Sequence, residues 1–145
     1  MADRFSHETR SKAMAAVRGK DTSPERYVRS SLHAAGFRFR LHRRDLPGRP
    51  DIVLKRFRTA VFVHGCFWHG HDCPKGKRPV SNVAFWNAKL ERNAERDRAA
   101  VAALGEAGWR VHVLWECSLG KATQALISTL RRRRAHAARN TELAR

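Results

Sequence analysis

The chain has 145 residues, which is the size of one globular domain and too short for two complete ones. Lysine and arginine total 30 against 13 aspartates and glutamates, a formal net charge of +17, while 42% of the residues are hydrophobic. This composition indicates a folded protein whose partner is a polyanion, with nucleic acid ahead of an acidic membrane. No run of about 18 apolar residues occurs, which argues against a membrane-spanning helix.

The first predicted element is a helix that starts at the segment TSPE. Thr22 and Glu25 fit a capping box; alternatively, Ser23 is the N-cap and Pro24 takes the first helical position. Gly36 ends the helix.

Three strands are predicted next. Residues 37–42, FRFRLH, alternate apolar and basic side chains as a half-exposed strand does. Residues 51–54 and 60–63 are continuously apolar after the first position, and the short segment KRFRT joins them. They are interpreted as a hairpin of two buried strands.

The second half of the chain predicts a helix, a strand and a final helix. The long helix covers 81–104, with Ser81 as its N-cap, and it carries one apolar stripe. The stripe consists of Trp86, Leu90, Ala94, Val101 and Leu104. A strand follows at 110–115, and the helical crossover predicts that it is parallel to the strand at 60–63. The final helix covers 121–138, and its RRRR segment is interpreted as a solvated face.

The three cysteines predict a metal site. They form an odd count, which suits metal binding or free thiols in a reducing compartment better than disulfides. If the two strands are parallel neighbours, Cys66 and Cys117 lie at the same edge of the sheet. Cys73 and one of His69 or His71 then complete a Cys3His set of the kind that binds zinc, and spacing does not choose between the histidines. The alternative is that Cys117 is a small buried hydrophobic residue and the loop binds no metal.

Asp51 begins a buried strand, which is an unusual place for an acid. Folding the hairpin about residue 57 places it opposite Val63 and within reach of His64. A carboxylate beside a strand carbonyl is a hard-oxygen environment that suits magnesium. The alternative is a carboxylate satisfied by turn amides after Pro50.

Two further acids lie on apolar helix faces. Asp97 falls on the stripe, seven residues after Leu90 and four before Val101, and Asn93 lies beside it. Because Asp is rarely buried without a partner, a histidine or arginine should contact it. Glu25 shares a face with the apolar residues of the first helix, although capping alone also explains its position.

Four segments together carry a resemblance to a known family. They are TRSKAMAAV, PGRPDIVL, VFVHGCFWHGHDC and FWNAKLERNAERDRAAVAALGEAGWRVHVLWEC. Across residues 9–117 the chain resembles the bacterial very-short-patch-repair (Vsr) DNA mismatch endonucleases. The resemblance implies an α/β, restriction-endonuclease-like fold, with a mixed β-sheet flanked by helices and a structural zinc. It also implies magnesium-dependent nicking 5′ to the T of T·G mismatches, which arise when 5-methylcytosine deaminates.

The resemblance also implies the catalytic residues. Asp51 and the backbone carbonyl of Val63 would hold magnesium against the scissile phosphate, and His69 would be the general base. The residues that orient metal-bound waters and imidazoles would be Glu25, His64 and Asp97.

Zinc and the contacts with the base stack are implied in the same way. The zinc ligands would be Cys66, His71, Cys73 and Cys117. Phe67 and Trp68 would wedge into the base stack beside the mismatch, with Met14 entering from the other side. Core packing is the alternative for these two rings. Sequence-independent binding to the DNA phosphates would come from Arg38, Arg40, Arg43, Arg44 and Arg49.

The chain departs from the family patterns at a few positions. The wider nuclease superfamily carries an acid-x-Lys after its PD motif, whereas this chain has Phe62, Val63 and His64. A one-carboxylate, histidine-assisted mechanism would have to replace the missing groups. Val63 stands where relatives often carry Thr, and the segment beyond Cys117 matches poorly.

The expected organisation is an N-terminal DNA-clamping arm at 1–21, an endonuclease domain at 22–138 and a frayed tail at 139–145. We expect a cytoplasmic, nucleoid-associated bacterial monomer, because the N-terminus has no stretch of signal-peptide type. Its partner would be double-stranded DNA with a T·G mismatch, and a MutL-type mismatch-repair protein is a second candidate. Two rivals stand beside this interpretation: a non-catalytic zinc-containing nucleic-acid-binding module, and a nuclease of the same fold with another DNA target.

Overall fold

A computed structural model describes residues 21–143, and it has an α/β architecture. The helices and strands are, in chain order, α1 (Ser23–Ala34), β1 (Arg40–Leu41), β2 (Ile52–Leu54), β3 (Thr59–His64), α2 (Val83–Glu106), β4 (Arg110–Trp115) and α3 (Leu119–Leu143). Short 3-10 turns occur at Lys55–Phe57, Pro74–Gly76 and Glu116–Ser118. Among the described residues, no helix combines the length and the apolar character that crossing a bilayer requires.

The sheet has four strands in the order β1-β2-β3-β4. The first two pairings are antiparallel, and β3 pairs with β4 in parallel, as the crossover through α2 predicts. All six residues of β3 are buried. The mixed sheet flanked by helices confirms that part of the expected fold class.

Alternate side chains of β3 pack on opposite faces of the sheet. Val61 and Val63 join a core with buried residues of α1 and α3, whereas Ala60 and Phe62 pack with Ala100 and other residues of α2. The sheet therefore lies between α1 and α3 on one face and α2 on the other. This arrangement leaves the carboxyl ends of β3 and β4 side by side, with the loop from 65 to 82 between β3 and α2.

The predicted hairpin register is wrong by one residue. Ile52 pairs with Val61, so the register places Asp51 opposite Phe62 instead of Val63. The cause is the turn, which is a 3-10 segment followed by Arg58 in the left-handed conformation (φ 44°). The Val63 amide nevertheless donates to the Asp51 side chain, because that side chain reaches past its backbone neighbour.

Several element ends also differ from the sequence prediction. Thr22 is the N-cap of α1, and its side chain accepts a hydrogen bond from the Glu25 amide at 3.4 Å. In the predicted strand at 37–42, only Arg40–Leu41 pairs with β2, which is itself short. The prediction of Ser81 as N-cap is wrong, since α2 begins after Asn82, which has φ 51°.

Helix α3 is longer than predicted. It begins at Leu119 and continues to Leu143, so the segment expected to fray from 139 is helical as far as it is described. No proline or glycine interrupts it there, and the Thr141 hydroxyl donates to the Ala137 carbonyl at 3.0 Å. The RRRR segment is only partly a solvated face: Arg133 donates to the Thr59 hydroxyl at 2.9 Å, and Arg134 lies 4.5 Å from the Phe37 ring centroid.

Candidate active site

An open cleft of about 1080 Å³ lies beside the carboxyl end of β3. The side chains that line it include Glu25, Asp51, His64, Trp68, His69 and Asp97. They come from α1, the residue before β2, the end of β3, the following loop and α2. The structure thus brings together the acids and histidines that the sequence placed on separate elements.

The ionised form of the Asp51 side chain is stabilised by few neighbouring groups. Its side chain is 16% exposed, and its Oδ2 accepts a hydrogen bond from the Val63 amide at 2.7 Å. Burial raises the pKa of Asp51 to about 7, and the neighbouring Glu25 carboxylate adds to the increase; the hydrogen bond from the Val63 amide opposes it, as a protonated His69 would. A cation at this position would stabilise the ionised carboxylate, so the residues present fit a hard divalent ion.

His69 and Asp97 form a hydrogen-bonded pair. The distance from His69 Nδ1 to Asp97 Oδ2 is 2.6 Å. An ionised carboxylate only accepts hydrogen bonds, so Nδ1 carries the donated proton and Nε2 of a neutral ring is left as an acceptor. The prediction that a histidine satisfies Asp97 is confirmed, and the second polar group on the stripe is also satisfied, because Asn93 donates to the Trp68 carbonyl at 2.9 Å.

His64 lies underneath this pair. It is 4% exposed, and its ring is stacked on that of His69 with a centroid distance of 3.7 Å and an interplanar angle of 3°. Burial lowers the pKa of His64 to about 4, and a positive charge on His69 lowers it further, against the attraction of Asp97. His64 is therefore neutral near pH 7 and serves as a flat support for the His69 ring.

The cysteines and one histidine form a candidate metal centre beside the cleft. Ligand atoms of Cys66, His71, Cys73 and Cys117 all lie within 4.8 Å of one another. Ligand atoms at a tetrahedral zinc are separated by roughly 3.3 to 3.8 Å, so a small contraction would accommodate the ion. Of the two histidines that spacing left open, His71 lies in this group, whereas His69 contacts Asp97.

The chemistry of these donors also fits zinc. Burial acts to raise the pKa of the Cys73 thiol, but hydrogen bonds with His71 and Cys66 outweigh it and lower the pKa to about 7. Burial raises the pKa of Cys66 to about 11. A bound cation would favour both thiolates, and the His71 ring is already held by stacking on Trp115 at 4.1 Å.

Three aromatic rings meet where the loop touches α2. Phe67 lies 5.1 Å from Trp68 and 5.3 Å from Trp86 between ring centroids, in edge-to-face geometry. Phe67 and Trp68 are half-exposed and belong to neither core cluster, whereas Trp86 is 3% exposed. The core-packing alternative for the two loop rings is therefore not supported. Met14 lies outside the described residues.

The basic residues are distributed over several surfaces. Arg44 and Arg49 line the cleft, and Arg38 and Arg40 are also exposed. Arg43 is engaged locally, since its Nε donates to Asp45 at 2.8 Å.

Comparison with known proteins identifies the family. The model of the family "DNA mismatch endonuclease Vsr" matches residues 2–75. A type II nicking enzyme, V.XorIIP of Xanthomonas oryzae pv. oryzae, is 55% identical over 119 residues, covering 82% of this chain and 88% of that protein. The chain belongs to the Vsr family. The DNA mismatch endonuclease Vsr of Escherichia coli is 45% identical over 119 residues, covering 82% of this chain and 76% of its own. The type II nicking enzyme V.NmeAIP of Neisseria meningitidis is also 45% identical over 119 residues, covering 82% and 85%.

Membership of the Vsr family makes the protein a DNA endonuclease. The alternative of a non-catalytic nucleic-acid-binding module is therefore not supported. The Vsr model covers Glu25, Asp51 and the loop at 64–73, and Asp97 and Cys117 lie beyond the matched segment. Asp97 contacts His69, and Cys117 lies in the group with Cys66, so both meet residues of the matched segment.

Sequence reasoning missed three side chains at this Vsr-family site. The Nζ of Lys89 lies 5.6 Å from the Trp68 ring centroid, and its spacing of three residues from Trp86 was an available signal. Arg29 contacts Glu25, which lies four residues before it on α1. His42 contacts both carboxylate groups from an irregular segment, and no pattern in the sequence indicates it.

Proposed function

We propose that the protein is a magnesium-dependent, strand-specific endonuclease that nicks DNA 5′ to the T of T·G mismatches and so starts very-short-patch repair of deaminated 5-methylcytosine. One observation carries the proposal: His69, held by Asp97, lines the same open cleft as the Asp51 carboxylate, beside the half-exposed Trp68. A base, a metal ligand and an aromatic ring thus face one space that a DNA strand can enter.

Asp51 and the backbone carbonyl of Val63 would hold the magnesium. In a strand the N–H and C=O of one residue project toward the same neighbour, so the Val63 carbonyl is on the side where its amide meets Asp51. When bound, the ion neutralises charge on the scissile phosphate. Glu25, buried beside Asp51, would orient water at this position.

His69 would act as the general base. Asp97 holds the Nδ1 proton, so Nε2 accepts a proton from the attacking water. His64 keeps the ring in plane by stacking. In-line attack on the phosphorus would leave a 5′-phosphate and a 3′-hydroxyl.

Phe67 and Trp68 would recognise the mismatch. Opening a base step costs a few kcal/mol, and the cost is lower at a wobble pair, so a rigid aromatic wedge prefers mismatched DNA. Both rings are half-exposed and are supported from behind by Trp86. Met14 of the N-terminal arm would enter the stack from the opposite side.

A structural zinc would hold this loop in shape. Its ligands would be Cys66, His71, Cys73 and Cys117, all of them protein atoms, so the ion would have no open position for chemistry. The ion would stiffen the segment that carries both the wedge and His69.

The partner would be double-stranded DNA, bound by a monomer in the bacterial cytoplasm, with a MutL-type mismatch-repair protein as an auxiliary partner. The net charge of +17 supports the polyanion. It does not distinguish T·G mismatches from other DNA targets.

The test is a nicking assay on matched duplexes. Each duplex carries a different label on each strand and contains a T·G pair, an A·C pair or a normal pair in a panel of flanking sequences. We expect Mg²⁺-dependent nicking of the T strand alone, on the 5′ side of the T. Equal nicking of the normal duplex, or of both strands, would contradict the proposal and favour a nuclease with another target.

A further inference from the structure

Arg29 and His42 lie next to the proposed catalytic carboxylates, and the function proposed above gives them no role. We propose that they are positioning residues that hold Glu25 and Asp51 in a fixed relation to each other. This inference rests on the proposed function, because it takes these two carboxylates as the groups that serve the metal and its waters.

Glu25 depends on Arg29 for its position. The Glu25 side chain is 3% exposed, and its Oε2 accepts hydrogen bonds from Arg29 Nη2 at 2.8 Å and from the Asp21 amide at 3.0 Å. Arg29 Nη2 also lies 2.7 Å from Asp21 Oδ1. A buried carboxylate without such partners would turn toward water or take up a proton. Arg29 therefore ties Oε2 to the helix and leaves the rest of the carboxylate at the cleft.

His42 connects this group to Asp51. Its Nε2 lies 3.1 Å from Arg29 Nη2. Because a guanidinium only donates hydrogen bonds, Nε2 is the acceptor and the ring proton is on Nδ1. That Nδ1 faces Asp51 Oδ1 at 3.9 Å, a separation that one water can bridge.

A backbone hydrogen bond also joins His42 to Asp51. The His42 amide donates to the Asp51 carbonyl at 3.2 Å, which ties the start of β2 to the segment after β1. His42 has φ 49°, a left-handed conformation that directs its ring back toward α1. One imidazole thus bridges the elements that carry the two carboxylates.

The geometry assigns a positioning role and not a catalytic one. Of the residues described, Glu25 and Asp51 line the cleft, whereas Arg29 and His42 do not. Arg29 bonds Glu25 directly, and His42 contacts Arg29 on one ring nitrogen and faces Asp51 with the other, so the two residues hold the acids without lining the cleft themselves.

The test uses three variants. Arg29→Lys keeps the charge but loses the planar group that bonds several acceptors at once. His42→Asn keeps a polar group close to the Nδ1 position and tolerates the positive φ, but it cannot reach Arg29. Arg26→Lys is the control, since Arg26 is exposed on the same helix and, among the described residues, its side chain bonds only to Ser23.

We expect both test variants to lower kcat for T·G nicking about tenfold and to raise the Mg²⁺ concentration for half-maximal rate at least threefold. DNA affinity measured with Ca²⁺ and the melting temperature should remain close to those of the parent. The double variant should lose less than the product of the single losses, because the two residues act on one cluster. Nicking within twofold of the parent at every Mg²⁺ concentration would overturn the proposal, as would a rate loss matched by the loss of DNA binding.

A second measurement separates this proposal from the function on which it rests. Calorimetric titration of the DNA-free protein with Mg²⁺ should show binding to Arg29→Lys weakened at least threefold. Equal Mg²⁺ affinity in parent and variant would overturn the positioning role whatever DNA the parent cleaves. Failure of the parent to nick T·G duplexes would instead contradict the proposed function alone.

Discussion

The Nδ1 atom of His69 lies 2.6 Å from Oδ2 of Asp97, which joins the loop after β3 to the apolar stripe of α2. In a neutral ring this contact places the proton on Nδ1 and leaves Nε2 as the acceptor. The same loop carries Phe67 and Trp68, so the proposed general base and the proposed wedge belong to one short segment. The proposed recognition of a distorted DNA base step and the proposed positioning of His69 at the scissile phosphate can therefore be coupled through the loop backbone.

The role of Asp97 can be tested by a substitution that keeps its shape. Asp97→Asn can still bond His69, but the amide does not enforce the same tautomer and carries no charge to stabilise a protonated ring. We expect kcat for T·G nicking to fall roughly 100-fold, with DNA binding unchanged. Glu95→Gln, on the exposed side of the same helix, is the control and should leave the rate unaltered. A rate for Asp97→Asn close to that of the control would show that the pair is only structural.

Removal of the proposed zinc should loosen the loop. Treating the parent with a strong chelator, or replacing Cys73 by Ser, should lower the melting temperature by at least about 10 °C, since a metal that binds only the folded state contributes several kcal/mol. Adding Zn²⁺ back to the chelated parent should restore the melting temperature, whereas Mg²⁺ should not. Ser118→Ala, next to Cys117 and exposed, provides the control. A melting temperature that does not respond to the chelator would mean that these cysteines hold no structural ion.

Trp68 should determine discrimination more than cleavage chemistry. Trp68→Ala removes a half-exposed ring from the cleft. We expect the ratio of nicking rates on T·G and normal duplexes to fall at least tenfold, because base–aromatic stacking contributes about 1 to 3 kcal/mol. Phe85→Ala removes a nearby ring that is 55% exposed and should preserve the ratio. An unchanged ratio for Trp68→Ala would assign recognition to other groups.

Asp51 should cost the folded protein stability at neutral and alkaline pH. Its folded-state pKa is about 7 against an ordinary value of 3.8, so the folded state binds more protons than the unfolded chain between these values. The free energy of unfolding contributed by Asp51 therefore falls as pH rises from about 4 to about 7. Asp51→Asn cannot ionise, and in Mg²⁺-free buffer we expect it to be about 2 kcal/mol more stable than the parent at pH 8.

Comparing the stability of Asp51→Asn and the parent at pH 4 checks the predicted direction of the pH dependence. There both side chains are neutral in the folded state, and the difference in stability should nearly disappear. Denaturant unfolding of parent and variant side by side at each pH measures the difference, because any loss of a cysteine-bound metal at pH 4 affects both proteins alike. A stability difference that is independent of pH would contradict a raised pKa for Asp51. The variant should also be unable to nick DNA at either pH.

Much of the site could be predicted because its residues break local rules. Asp97 interrupts an apolar stripe, and Asp51 begins a buried strand, so each demanded a polar partner in the fold. The parallel pairing of β3 with β4 followed from the helical crossover, and it brought Cys117 to Cys66. Strong periodic signals therefore fixed which elements meet.

The remaining features depend on tertiary geometry that local patterns do not encode. The hairpin register depends on how Lys55–Phe57 and Arg58 turn the chain. The sequence prediction assumed a turn centred on residue 57, which pairs Asp51 with the wrong residue of β3. His42 lies in an irregular segment whose direction is set by a left-handed residue, so its contact with Arg29 has no periodic signature. The extension of α3 to Leu143 likewise overrides a polar composition that suggests fraying.

The central claim is that His69 prepares the attacking water for cleavage of a T·G duplex. The most direct measurement is the single-turnover nicking rate of His69→Ala on that duplex in Mg²⁺, with His33→Ala, an exposed histidine on α1, as the control. We expect the rate of His69→Ala to fall at least about 100-fold while binding in Ca²⁺ persists and the control matches the parent. A His69→Ala protein that nicks the T strand as fast as the parent would contradict the account.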